Sequence, residues 1–92
     1  MQQLNAFIVE DEIKGLDNLK NLLNARCPHV QVVGEATTVK ESTEKLAGLS
    51  QQLDVVFLDV NLPDGQAFQI LDALKDVSFD IIFVTASERH AI

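Results

Sequence analysis

The stretch Val55-Val56-Phe57-Leu58-Asp59-Val60-Asn61-Leu62-Pro63-Asp64-Gly65 decides how the rest of the chain is read. Its first four residues are apolar, β-branched or aromatic, with no polar residue alternating among them. That pattern predicts a strand buried on both faces, as in a parallel sheet covered by helices. The run stops at a carboxylate, Asp59. A loop follows in which Pro63 fixes φ and Gly65 tolerates positive φ.

Two other runs have the same character. Ala6-Phe7-Ile8-Val9 ends at Glu10 and Asp11, and Ile81-Ile82-Phe83-Val84 ends at Thr85 and Ala86. Val30-Gln31-Val32-Val33 alternates partly, as a strand at a sheet edge does. Between the runs, apolar residues recur at helical spacing. Ile13, Leu16, Leu19, Leu23 and Cys27 form one set, with Pro28 as its stop signal. Val39, Thr43, Leu46 and Ala47 form a second. Ala67, Ile70, Leu71, Leu74 and Val77 form a third, which Asp64 is placed to cap. Strands alternating with helices imply right-handed crossovers and a parallel sheet. The expectation is an α/β, flavodoxin-like, doubly wound domain covering residues 1–92, with no internal repeat or linker.

Bulk properties narrow the function. The chain has 92 residues, 47% of them hydrophobic, so one small domain can build a core. Its formal net charge is −7, from 14 acidic and 7 basic residues. Such a surface repels phosphate backbones, which argues against direct nucleic-acid binding and for a cation or a basic partner. The single cysteine, Cys27, can form no internal disulfide. Met1–Asp11 lacks the features of a signal peptide, and no apolar run approaches a membrane span, so a cytoplasmic protein is expected.

In an open parallel sheet, ligands bind outside the carboxyl ends of the strands. If the first and third strands are neighbours, Glu10, Asp11 and Asp59 share one crevice there. Like charges that close oppose one another's ionisation. A hard divalent cation such as Mg²⁺ offsets them and suits oxygen ligands. A carboxylate can act as nucleophile toward phosphorus, giving an acyl phosphate. The Thr85 hydroxyl and the small Ala86 are expected at the same crevice, and the Asn61 carbonyl is a candidate metal ligand.

Taken together, "FIVEDE", "VVFLDVNLPDGQAF" and "IIFVTA" resemble the three signature stretches of receiver domains of bacterial two-component response regulators. The resemblance covers the whole chain and implies a sheet of order 2-1-3-4-5. It places the phosphoacceptor on Asp59 and the acidic, metal-binding pair on Glu10 and Asp11. The metal-binding carbonyl falls on Asn61, the switch hydroxyl on Thr85, and its small neighbour on Ala86. Glu10 stands where the family commonly has Asp. The family continues past the fourth strand through a helix, a fifth strand and a last helix, roughly 30 further residues at average element lengths. Its phosphate-pairing lysine and aromatic switch residue lie there, so the expected order within this chain is 2-1-3-4 and the domain is incomplete at its C-terminus. "LDVNLPDGQAF" and "TASERHAI" are also similar to regulators with a LytTR-type DNA-binding output domain.

The resemblance therefore implies a regulatory phosphoacceptor rather than a metabolic enzyme. It catalyses only its own Mg²⁺-dependent phosphorylation and dephosphorylation, with a sensor histidine kinase as partner. Two alternatives stand beside it. One is a non-signalling interaction module, in which Phe79–Val84 is an apolar sheet edge that drives homodimer formation. The other is a related phosphohydrolase, disfavoured because Asn61 occupies the position of its acid/base aspartate. Glu12 reads as a solvated residue opening a helix. Cys27 and the phenylalanines read as core, Asp72, Asp76 and Asp80 as solvated surface, and His29 and His90 have no assigned role.

Overall fold

The computed structural model of the chain describes residues 3–74 and 77–84. Its elements run β1 (Leu4–Val9), α1 (Ile13–Arg26), β2 (Val30–Ala36), α2 (Val39–Leu49), a 3₁₀ turn (Ser50–Gln52), β3 (Val55–Asp59), β4 (Asn61–Leu62), β5 (Gly65–Gln66), α3 (Ala67–Ala73) and β6 (Asp80–Val84). The main sheet is parallel throughout, in the order β2-β1-β3-β6. This is the order expected from the sequence, with β6 as its fourth strand. The short antiparallel β4–β5 hairpin within the loop after Asp59 was not anticipated.

The unbroken apolar runs of β1 and β3 are explained by a core on each side of the sheet. Ala6, Phe7, Ile8 and Val9 are all buried. Phe7, Val9, Val56 and Leu58 point to the side covered by α2 and α3, where they meet Ala36, Leu46, Leu53, Leu62, Ala67, Ile70 and Phe79. Ile8 and the half-buried Phe57 point to the other side and pack with Leu16, Leu19 and Leu23 of α1. β2, at the edge, alternates as predicted. It carries a bulge at Val33, because Ala6 faces Val32 while Phe7 faces Gly34.

Several helix faces differ from the spacing-based expectation. α1 buries Leu16 and Leu23 and ends at Cys27, one residue before Pro28, but Ile13 is 71% exposed because it opens the helix beyond the strand ends. In α2 the inward residues are Ser42 and Leu46; Thr43 is only half-buried and Ala47 is exposed. Ser42 tolerates burial because its hydroxyl donates to the Thr38 carbonyl at 2.6 Å. α3 is shorter than the periodicity suggested. Leu74 has already left the helical region, and Val77 lies outside the helix and is exposed.

Two further expectations are corrected. Asp64 does not cap α3, whose first turn is instead tied by the Gln69 carboxamide accepting from the Gln66 amide at 2.7 Å. Asp64 reaches across to α2 and accepts from the amides of Val39 and Lys40 at 2.7 and 3.1 Å. Nor are all phenylalanines core. Phe68 and Phe83 are about half exposed and meet each other with ring centroids 6.4 Å apart.

The register of α3 makes a direct stability prediction. Ile70 is fully buried, whereas Phe68, two residues earlier, is 57% exposed. Ile70→Ala should cost about 3 kcal/mol in urea unfolding, the usual range for a buried large-to-small change. Phe68→Ala should cost less than about 1 kcal/mol, as expected for an exposed position. Equal losses would contradict the register.

Candidate functional site

The site is a consequence of strand pairing. In the parallel β1–β3 ladder Val9 lies opposite Leu58, so the next residues, Glu10 and Asp59, leave the sheet side by side. The Glu10 amide donates to the Ala36 carbonyl at 3.0 Å, which holds its backbone against the end of β2. Asp59 is the last residue of β3 and pairs with Val84 of β6. It is buried, at 8% exposure, although no apolar residue type dictates that; its depth comes from the strands on either side.

Carboxylate oxygens of Glu10, Asp11 and Asp59 all lie within 4.8 Å of one another. Among the described residues the only salt bridges are Lys20–Glu35 and Lys45–Glu41, and none of the described lysines or arginines forms a salt bridge with this group. The electrostatic result follows. Burial, reinforced by the charges of Asp59 and Asp11, pushes the Glu10 carboxyl from its ordinary 4.5 up to about 7, against an opposing hydrogen bond from the Glu12 amide. The Asp59 carboxyl is likewise raised, by burial first and then by its contact with Asp11. The Asn61 amide, which donates to it, works the other way.

The sequence thus brings Glu10, Asp11 and Asp59 together as expected. Asn61 is adjacent, through its amide on Asp59, and its carbonyl remains a candidate ligand. Thr85 and Ala86 lie outside the described residues, as do His90 and Asp76. Glu12 enters through its backbone, its amide donating to Glu10 Oε2 at 3.1 Å. Asp64 was missed as the link between this loop and α2, because a contact between residues 25 apart leaves no local signal.

The donor set fits a hard divalent cation: it offers only oxygen, it carries excess negative charge, and two of its members are held above their ordinary pKa. Bound there, such an ion would supply positive charge to the carboxylates and to an incoming anionic group.

Comparison with known proteins agrees with this geometry. The chain belongs to the response regulator receiver domain family, whose model matches residues 6–92. It is 36% identical over 91 residues to the sensory transduction protein LytT of Bacillus cereus, covering 97% of this chain and 36% of LytT. It is 35% identical over 92 residues to the transcriptional regulatory protein LytR of Staphylococcus aureus, covering 97% and 36%. The chain therefore spans little more than a third of the length of these relatives, and their names accord with the resemblance to LytTR-type regulators. Among solved structures, a chain of the CheX–CheY–BeF3–Mg²⁺ complex from Borrelia burgdorferi superposes with a TM-score of 0.81 at 20% identity, covering 92% of this chain and 63% of that one. The response regulator domain of Thermotoga maritima CheB gives 0.79 at 23% identity, covering 92% and 62%. At these identities the likeness establishes the fold.

The raised Glu10 pKa carries a pH prediction. A carboxyl raised in the folded state binds more protons folded than unfolded, so stability falls as pH rises from its ordinary 4.5 through about 7. In EDTA the thermal midpoint should drop across that window. Millimolar Mg²⁺ should reverse most of the drop at the upper end, and Glu10→Gln should flatten the profile. A midpoint that rises across the window would refute the assignment.

Proposed function

We propose that the chain is the phosphorylatable switch of a two-component system, with Asp59 as phosphoacceptor. The observation that carries this reading is the convergence of Glu10, Asp11 and a buried Asp59 at the carboxyl ends of adjacent parallel strands. In the reaction, an Asp59 oxygen attacks the phosphorus of a phosphohistidine on the partner kinase. The P–N bond breaks as the P–O bond of an acyl phosphate forms, and the imidazole leaves with a proton.

In this reading Asp11, Asp59, Glu10 and the Asn61 carbonyl hold Mg²⁺, an ion that neutralises charge on the transferring group when bound. The presence of Mg²⁺ and a fluoroberyllate in the Borrelia burgdorferi neighbour is compatible with that role. The Asn61 backbone amide favours the ionised form of Asp59. Thr85 supplies a hydroxyl to the phosphate and Ala86 leaves room for it. Phosphorylation then shifts a population between two states and changes contacts with an output domain, in the longer protein a DNA-binding one. The whole acts in the cytoplasm as a regulator, turning over no metabolite. As one domain, residues 1–92 form the greater part of the receiver.

Intact mass after incubation with acetyl phosphate and Mg²⁺ tests the proposal. A single phosphate adduct is expected on the wild-type chain and none on Asp59→Asn. An adduct that survives Asp59→Asn would move the acceptor elsewhere. No adduct on either protein, with Mg²⁺ nonetheless bound, would favour the interaction-module reading.

That second reading has its own observation. Among the described residues β6 has a partner strand only on its β3 side, and its Ile82 and Phe83, which point to opposite faces, are each about half exposed. Apolar strands of this kind pair with other chains. Sedimentation velocity should then show a homodimer that Ile82→Lys weakens; a monomer at every concentration removes this reading.

A further inference from the structure

The Glu10 side chain does not lie in open space. Its Oε2 accepts from the Glu12 amide at 3.1 Å, which fixes one side of the carboxylate. On the other side lies Gly15, in the first turn of α1. A Cβ built on Gly15 would fall 3.1 Å from Glu10 Cδ, 3.2 Å from Oε1 and 3.4 Å from Cγ. Carbon atoms in ordinary contact sit at about 3.5–4.0 Å. Any other residue at position 15 therefore displaces the Glu10 carboxylate by a few tenths of an ångström, and the Glu12 hydrogen bond opposes the shift.

The length of Glu10 is what brings it against the helix. An aspartate, common in the family at this position, is one methylene shorter and would withdraw its carboxylate from residue 15. The three atoms nearest a Cβ at position 15 all belong to Glu10, and Gly15 lies within a helix, where glycine is a poor choice. Its φ is not in the left-handed region, which among the glycines only Gly65 occupies.

We propose that Gly15 is a positioning residue for the cation site, its missing Cβ being the space that allows a glutamate, rather than an aspartate, to serve at position 10. The inference rests on the cation-binding reading of Glu10, Asp11 and Asp59. It makes positions 10 and 15 a coupled pair: Glu with Gly, Asp with a larger residue.

Calorimetric titration of the full 92-residue chain with Mg²⁺ alone tests the coupling in four proteins: wild type, Gly15→Ala, Glu10→Asp and the double variant. Gly15→Ala should weaken Mg²⁺ binding roughly tenfold, the scale seen when a supporting contact of a metal ligand is lost. Its thermal midpoint in EDTA should not fall, since alanine favours the helix. In the Glu10→Asp background the same change should leave affinity unaltered. Unchanged affinity in Gly15→Ala, or an equal loss in both backgrounds, overturns the proposal while leaving the cation site intact. A wild-type chain that takes up no Mg²⁺ overturns the cation reading itself and the proposal with it.

Discussion

The parallel pairing of β1 with β3 is the contact on which the rest of the molecule depends. With Val9 set against Leu58, the two strands end in register and deliver Glu10 and Asp59 to the same point. A slip of one residue would invert every side chain of one strand, sending Phe7 and Val9 to the wrong core and separating the carboxylates. The register is protected by burial. Phe7, Ile8 and Leu58 are completely enclosed, and Val9 and Val56 nearly so. The apolar strands thus fix where the charges go, and the charges contribute nothing favourable in return. Three carboxylates within 4.8 Å of one another destabilise the fold until a proton or a cation offsets them.

The two sides of the sheet are unequally covered. α2 and α3 build the larger core with Phe7, Val56, Leu58 and Phe79, while among the described residues α1 is the one helix packed on Ile8 and Phe57. Beside α1 an open groove of about 720 Å³ runs past Leu23, Cys27, Leu53 and Phe57 to Ile82. The side that carries the site's loop is the better packed one. Leu62 within the β4–β5 hairpin and Ala67 directly after it are both buried in that core.

The hairpin is where the site and the helices meet. Asp59 begins the loop, Asn61 donates back to it, and Asp64 ties the far side of the loop to the first turn of α2. Both hydrogen bonds to Asp64 hold its carboxyl below the ordinary value, with the Val39 amide foremost. Gly65 permits the turn: its φ of +156° and the closeness of the Gln69 carboxamide leave no room for a Cβ. α2 is further secured by Thr38, whose hydroxyl accepts from the Glu41 amide, and by Glu41, whose carboxylate accepts from Thr37.

The sequence by itself determined the alternation of strands and helices, the parallel sheet and the acidic residues at the strand ends; the strand order came from the resemblance to receiver domains. Unbroken apolar runs rich in β-branched residues, such as Val55–Leu58, point to strands covered on both faces, and the carboxylates that close the runs ending at Val9 and Leu58 need no knowledge of packing to be noticed. Helical spacing also located the second helix, though it turned Thr43 inward where the fold buries Ser42. What only the tertiary structure decided are contacts between residues distant in the chain. Asp64 looks like the cap of the helix that follows it, yet it serves α2, because the hairpin folds back toward Val39. Phe68 and Phe83 look like core, yet the faces they occupy are left half open. Gly15 looks like a defect in a helix until Glu10 is placed against it. Local periodicity records what each segment buries on average; it does not record which neighbour arrives, and that is set by the packing of whole elements.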